Sequence, residues 1–172
     1  QGHVIEIQLR DASGRKFYAF ATYLDAEDPL VRVSQLRSIR NAMGPTAHCL
    51  LAGDWNLCLE IEDGFNARLE RYTGDPGDSS ATFFQREFLD SSKLLESKQG
   101  AYTYFHTERM AKLDRVFTSL EAGILCAWAA SSRVAKFDSP SDHALLEFGV
   151  SVPAPSNAPR GPPPLVWKHD SF

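Results

Sequence analysis

The stretch Ser141-Asp142-His143, followed at once by the apolar run Ala144-Leu145-Leu146-Glu147-Phe148, has the form of a functional turn leading into a strand. Two other segments share this form: Gly53-Asp54-Trp55-Asn56, after an apolar run, and Leu113-Asp114-Arg115-Val116-Phe117. Each places one or two short polar side chains at the end of an apolar stretch, where a β-sheet presents metal ligands and proton carriers at its rim. Together they predict a functional site at a sheet edge.

The surrounding sequence predicts an α+β fold. Alternating apolar residues from Val4 to Leu9 and a second run from Lys16 to Leu24 predict a β-hairpin. Asp28-Pro29 predicts the start of a helix, and Gly44-Pro45 predicts its end. An apolar strand from His48 to Ala52, expected to be covered on both faces, leads to Gly53. Residues 60–81 are interpreted as a long loop, followed by a short helix with Phe84 and Phe88 on one face. Further strands are predicted near Tyr102–Tyr104, Leu113–Phe117, Ala127–Val134 and Ala144–Val150.

The composition allows one globular domain and excludes several classes of protein. The chain has 172 residues, of which 43% are hydrophobic and 23% charged. Three cysteines without C-x-x-C spacing argue against a disulfide framework or a zinc site and favour a reducing compartment. No apolar stretch approaches the roughly 20 residues of a membrane span. Six of the ten prolines fall between residues 153 and 164, which predicts a linker over 151–164 and the start of a following segment over 165–172.

The net charge of −4 argues against a basic nucleic-acid footprint over the whole chain. Seven acidic residues and two arginines lie between Gly53 and Asp78, beside the G-D-x-N segment. An acidic rim suits a divalent cation, but it is equally consistent with a solvated loop.

In the order G-D-x-N, L-D-R-V-F and S-D-H, the three segments resemble the C-terminal motifs of the endonuclease/exonuclease/phosphatase superfamily. The resemblance implies that Asp54 positions or deprotonates the attacking water and that Asn56 contacts the phosphate. It makes His143 the phosphate-contacting or proton-accepting imidazole, oriented by Asp114, and Asp142 a ligand near a Mg²⁺ ion, for which Mn²⁺ is a substitute. An isolated G-D-x-N is also typical of a tight turn in which both side chains cap their own backbone.

Tyr23 closes a strand where the superfamily commonly places Tyr or His near the phosphate. The match is looser, because Ala21 stands where many members carry Asn, so an active-site Tyr and a half-buried sheet aromatic are both open. The resemblance covers residues 1–150 and implies a partial four-layer sandwich, two packed β-sheets with outer helices, whose N-terminal portion is missing. That portion supplies the principal glutamate ligand, which neither Glu6 nor Glu27 matches. We therefore expect residues 1–172 alone to hydrolyse phosphodiesters weakly or not at all.

The proline-rich segment resembles the junction in non-LTR retrotransposon polyproteins where a reverse transcriptase follows the endonuclease. On this interpretation the chain is part of a metal-dependent DNA endonuclease, with the upstream half of the domain and a downstream reverse transcriptase as partners. Only the analogy suggests a nuclear location. The alternatives are a phosphoinositide or nucleotide phosphatase of the same superfamily, and a catalytically dead relic or interaction module.

Overall fold

The computed structural model describes residues 3–10, 16–43, 48–91, 94–96, 102–119, 129–135 and 141–151. In chain order they form β1 (His3–Arg10), β2 (Lys16–Tyr23), α1 (Pro29–Met43), β3 (His48–Asp54), a 3-10 turn (Ile61–Asp63), β4 (Gly64–Asn66), β5 (Arg71–Tyr72), α2 (Ser79–Phe84) with a π-helical extension (Gln85–Asp90), β6 (Leu95–Glu96), β7 (Tyr104–His106), β8 (Arg109–Ala111), β9 (Asp114–Thr118), β10 (Ala129–Ala135) and β11 (Leu145–Ser151). Two main sheets with helices beside them make an α+β fold, as predicted.

The larger sheet has the strand order β1-β2-β3-β9-β6. Strands β2 and β3 are parallel and are joined through α1, while β9 runs antiparallel to β3. Helix α1 begins as the sequence predicted: the Asp28 carboxylate accepts the N–H of Leu30 at 2.8 Å, and Pro29 is the first helical residue. The parallel pair brings the ends of β2 and β3 to one edge, with Tyr23 beside Asp54.

The core lies between this sheet and the helices. Phe20, Leu51 and Phe117 are register neighbours on β2, β3 and β9, and all three are buried. Trp55, fully buried just after β3, packs edge-on against Phe84 at 5.0 Å and Phe117 at 5.2 Å between ring centroids. These aromatic contacts fix the backbone that carries the G-D-x-N segment.

The opposite face of the larger sheet is more open. Ile5 is 60% exposed and lies next to Ala21, which is paired in turn with Ala52. Because side chains alternate along a strand, Asp54 and Asp114 belong to this face, away from the helices. The two carboxylates therefore stand at the edge of a face that the helical core does not cover.

The second sheet has the order β5-β4-β8-β7. Strand β7 also holds the S-D-H segment: Phe105 N–H donates to the Asp142 carbonyl at 2.7 Å, and Ala144 N–H donates to the Thr103 carbonyl at 2.6 Å. Tyr104 and His143 form an antiparallel bridge. These bonds attach the loop that carries His143 to the second sheet.

Two sequence predictions are wrong in detail. Residues 60–81 are not one long loop, because β4 and β5 form a small antiparallel pair there. These strands have three and two residues, too few to show a two-residue hydrophobic period. In β3, Cys49 and Leu51 are buried, but Leu50 and Ala52 are half-buried and His48 is exposed, so only one face of this strand is fully covered by the described residues.

Several predictions fall outside the described residues. They include the linker beyond Ser151, the segment 165–172 and Cys126. Cys49, which is buried, and Cys58, which is half-buried, are free thiols. None of the helices within the described ranges is long and apolar enough to cross a bilayer.

Candidate active site

The last residues of β3 and the turn after it include two residues with positive φ. Gly53 has φ +141°, and a Cβ at this position would overlap the carbonyl oxygen of Thr22 on the neighbouring strand. Asn56 has φ +46°, in the left-handed region that Asn tolerates better than most residues. The turn directs the Asp54 side chain back over the strand ends, where one carboxylate oxygen accepts the Asn56 N–H at 3.0 Å.

Both amide hydrogens of Asn56 are engaged. Its Nδ2 donates to the Leu24 carbonyl at 2.9 Å and to the second Asp54 oxygen at 3.2 Å. Asn56 thus ties the Asp54 carboxylate to the end of β2. A contact between this amide and a phosphate, as the resemblance implies, requires it to release one of these acceptors.

Asp114 begins β9 directly opposite Asp54 in the register of the sheet. Its position is fixed by Thr103, which is fully buried and whose hydroxyl oxygen accepts the N–H of Asp114 at 2.9 Å and of Leu113 at 3.2 Å. Since the Thr103 carbonyl also accepts the N–H of Ala144, one residue positions the backbone on both sides of the site.

His143 completes the group. Its Nδ1 lies 2.9 Å from Asp114 Oδ2, and its Nε2 lies 3.9 Å from Asp54 Oδ2. The Ser141 hydroxyl accepts the backbone N–H of His143 at 3.1 Å, and the Tyr104 ring packs edge-on against the imidazole at 5.2 Å. The imidazole is therefore held by a carboxylate on one side and an aromatic ring on another, with Nε2 directed toward Asp54.

The surroundings raise the pKa of both Asp54 and His143. Burial raises the pKa of the Asp54 carboxyl and the charge of Asp114 adds to this effect, against the Asn56 N–H and the charge of His143, which lower it. Burial lowers the pKa of His143, but the hydrogen bond and charge of Asp114 outweigh it, so the pKa lies above its usual range. Both groups therefore bind a proton more readily than they do in their ordinary surroundings.

The group has the donors for a divalent cation. One ligand atom each from Asp54, Asp114 and His143 can be chosen so that all three lie within 4.8 Å of one another. Carboxylate oxygens suit Mg²⁺, which needs six oxygen ligands and keeps several waters. Burial raises the pKa of the Asp54 carboxyl and the charge of Asp114 adds to this effect, so a cation bound nearby would favour its ionised form. The donor set therefore fits a hard cation that brings further oxygen ligands.

Two predicted site residues stand apart from this group. Tyr23 is 47% exposed at the end of β2, beside Asp54 in register. Asp142 is exposed, and its carboxylate raises the pKa of the adjacent His143 through its charge. Glu6 is exposed in the interior of β1 and Glu27 in the turn after β2, and neither belongs to the group.

Two carboxylates of the acidic run, Asp63 and Asp78, have structural partners and no place in the site. Asp63 forms an ion pair with the buried Arg115, whose other nitrogen bonds Glu96 at 2.7 Å. Asp78 caps α2 and pairs with the buried Arg32 at 2.6 Å. The sequence placed Thr103 and Tyr104 in a predicted strand and indicated no role in the site for either residue. The only sequence pattern that could have indicated them is Tyr-Thr-Tyr before a polar turn. Their contacts with Asp114 and His143 join distant parts of the chain, so no local pattern predicts them.

No protein-family model and no curated protein sequence matches this chain. Solved structures do. The endonuclease domain of TRAS1, a telomere-specific non-LTR retrotransposon, is 16% identical with a TM-score of 0.61, over 88% of this chain and 64% of that domain. The 3'-5' exonuclease NExo from Neisseria meningitidis is 16% identical with a TM-score of 0.60, over 85% and 64%. The human nocturnin catalytic domain is 20% identical with a TM-score of 0.50, over 86% and 52%.

These similarities confirm an endonuclease/exonuclease/phosphatase-like fold. The chain spans about half to two thirds of the length of the solved structures it matches. Its two sheets and few helices are accordingly a partial α+β sandwich.

Proposed function

We propose that this chain, with its endonuclease/exonuclease/phosphatase-like fold, takes part in metal-dependent hydrolysis of phosphodiesters, with DNA as the substrate. The observation that carries the proposal is the contact between His143 and Asp114, which lie 29 residues apart in sequence, at 2.9 Å beside the buried carboxylate of Asp54. A proton acceptor, a cationic donor and an orienting carboxylate are what hydrolysis at phosphorus requires of a protein.

Asp54 is the residue we assign to the attacking water. Asn56 donates one hydrogen bond to each of the Asp54 carboxylate oxygens, and the remaining lone pairs can accept a hydrogen bond from water. As the water oxygen forms its bond to phosphorus, its proton passes to Asp54, and the bond between phosphorus and the leaving oxygen breaks. The leaving oxygen then takes up a proton from solvent. The raised pKa of this carboxyl makes it a stronger base than an ordinary aspartate once it is ionised.

His143 acts in its protonated form. The imidazolium donates Nδ1–H to Asp114, which leaves Nε2–H to contact a non-bridging phosphate oxygen. Asp114 both selects this orientation and favours the charged form. Tyr104 restricts the ring from the side.

The metal assignment extends the donor set described above. We propose Asp142 as a ligand, since it is exposed next to His143, together with carboxylate oxygens of Asp54 and Asp114. When bound, Mg²⁺ or Mn²⁺ would neutralise charge on the phosphate and stabilise the leaving oxygen. We keep Tyr23, exposed at the same sheet edge, as a phosphate-contacting residue.

DNA is favoured by what the similar proteins do. One is a retrotransposon endonuclease, and NExo has been solved bound to a product DNA hairpin. By the same analogy we propose that the chain belongs to a retrotransposon-type polyprotein that includes a reverse transcriptase and works in the nucleus. A phosphatase for phosphoinositides or nucleotides is the second candidate, and a catalytically dead interaction module the third.

One pair of assays distinguishes the three candidate functions: DNA endonuclease, phosphatase and interaction module. Residues 1–172 are incubated with Mg²⁺ and either supercoiled DNA or inositol phosphates. We expect slow nicking of the DNA, lost in His143→Ala and reduced by about 10²- to 10⁴-fold in Asp54→Asn, the usual contribution of a positioned acid or base. Phosphate release without nicking would establish the phosphatase instead. Neither signal, also when the chain is joined to the upstream half of such a domain that supplies the glutamate ligand, would favour the interaction module.

A further inference from the structure

A row of polar side chains crosses the second sheet. The register pairs His106 of β7 with Arg109 of β8, Arg109 with Asn66 of β4, and Asn66 with Arg71 of β5. Directly paired residues in neighbouring strands project from the same face. We call these four residues, His106, Arg109, Asn66 and Arg71, the basic stripe.

The stripe is accessible and positively charged. His106, Arg109 and Arg71 are exposed, and neither arginine forms an ion pair with any residue in the described part of the chain. By contrast, Arg115 and Arg32 are buried in ion pairs, and the exposed Arg86 pairs with Glu87. An exposed arginine without a partner keeps its fork of donors for an external anion.

The stripe continues directly from the active site. The Tyr104 ring contacts His143 at 5.2 Å on one side, and on the other it lies nearly parallel to the His106 ring at 6.3 Å with 12° between planes. Tyr104 and His106 are two apart on β7 and thus project from the same face. A strand of substrate placed at His143 can therefore run past Tyr104 onto Arg109 and Arg71.

The support beneath the stripe is fixed. The Asn66 side chain accepts the Leu69 N–H at 2.9 Å, closing the turn between β4 and β5. Ala67 N–H donates to the Glu108 carbonyl at 2.8 Å and ties this turn to the β7–β8 hairpin. The charges are thus presented by hydrogen-bonded strands and turns, which lowers the entropy lost on binding.

We propose that the basic stripe binds the phosphodiester backbone of a nucleic-acid strand, at phosphates adjacent to the one held at His143. The proposal rests on the proposed function and specifies its substrate as a polymer rather than a small phosphate ester. Three inter-strand steps of about 4.8 Å make the stripe about 14 Å long. One strand of a duplex presents a phosphate about every 3.4 Å along its axis, so the stripe accompanies several successive phosphates.

The test is a salt titration of binding to a short labelled DNA duplex, followed by fluorescence anisotropy without a metal ion. We compare the wild type with Arg71→Gln/Arg109→Gln. Each phosphate contact contributes about 0.9 to the slope of log affinity against log salt, so the double variant should lose about 1.8 of this slope. At about 0.15 M salt that corresponds to roughly 30-fold weaker binding.

The matched control removes the same charge elsewhere. Arg37 and Arg86 are exposed on the helical side, where both guanidinium groups lie over the Phe83 ring, at 5.5 and 5.7 Å. Arg37→Gln/Arg86→Gln should keep the wild-type slope. If this control loses as much slope as Arg71→Gln/Arg109→Gln, or if the latter loses none, the stripe is not the binding surface.

A second readout separates this proposal from the proposed function. A single-nucleotide p-nitrophenyl phosphodiester reaches His143 but not the stripe, so Arg71→Gln/Arg109→Gln should cleave it at the wild-type rate while losing affinity for the duplex. Asp54→Asn should lose cleavage of this ester and keep the wild-type affinity for the duplex. If the proposed catalysis is not observed, the salt slope still measures binding to the basic stripe. Repeating the titration with an RNA duplex identifies which backbone is preferred, and weakened binding to either one supports the proposal.

Discussion

Replacing Asp114 with Asn tests the central contact of the candidate site. The substitution keeps the size of the side chain and removes its charge, 2.9 Å from Nδ1 of His143. The hydrogen bond and charge of Asp114 are the largest effects that raise the pKa of His143 against burial, ahead of the charges of Asp54 and Asp142, so the pKa should fall in Asp114→Asn. The imidazole then loses its proton at lower pH than in the wild type.

The size of the effect follows from the hydrogen bond and its exposure. A hydrogen bond to a charged partner contributes about 1.5–3 kcal/mol. The His143 and Asp114 side chains are 30% and 18% exposed, so solvent screens the pair in part and the lower end of that range applies. A loss of about 1.5 kcal/mol corresponds to roughly a 10-fold fall in kcat/KM if the imidazolium acts in the transition state.

The same pair makes a pH-dependent contribution to stability. A histidine whose folded pKa is raised stabilises the fold fully below its unfolded pKa, about 6.5, and this stabilisation is lost as pH rises through the folded value. Asp114→Asn should therefore lower the free energy of unfolding most under mildly acidic conditions. The difference from wild type should shrink as the pH rises.

The direct assay is an NMR titration of the His143 ring protons in metal-free buffer, with the signal assigned from His143→Gln. Asp142→Asn is the control, because Asp142 acts on His143 through charge alone and more weakly than Asp114. The midpoint should move clearly to lower pH in Asp114→Asn and only slightly in Asp142→Asn. Equal midpoints in wild type and Asp114→Asn would refute the assigned role of Asp114.

Two further predictions concern the scaffold of the site. Gly53→Ala should cost about 3 kcal/mol or more in a urea unfolding experiment, since a Cβ there overlaps the next strand at positive φ. Gly77→Ala should cost much less, because its Cβ would meet only the side chain of Asp75, at 3.3 Å. Equal midpoints for the two variants would show that this turn relaxes freely. Arg115→Met should cost about 3–5 kcal/mol by leaving a buried carboxylate unpaired, against about 0.5 kcal/mol or less for the exposed Arg86→Met. A cost below 1 kcal/mol for Arg115→Met would mean that water compensates the carboxylate.

Local sequence signals were sufficient for the elements that carry strong patterns. The alternation in β1 and β2 and the Asp28-Pro29 start of α1 are encoded within a few residues, and the structure confirms them. The β4–β5 pair was missed because such short strands are stabilised by pairing with β8, and this pairing leaves no local pattern. The prediction that both faces of β3 are covered was wrong, because an apolar run indicates only a tendency to be buried and not which faces are covered.

For the site, the sequence determined which residue types are present and that each stands at the end of an apolar segment. The tertiary structure decided that Asp54 and Asp114 are register partners, that His143 bonds Asp114, and that Tyr104 leads from the imidazole to the basic stripe. Strand order and register follow from packing between residues far apart in the chain, and pKa shifts depend on burial and on distances of a few ångströms between groups. Neither quantity is contained in a local stretch of sequence, so both emerge only when the sheets form.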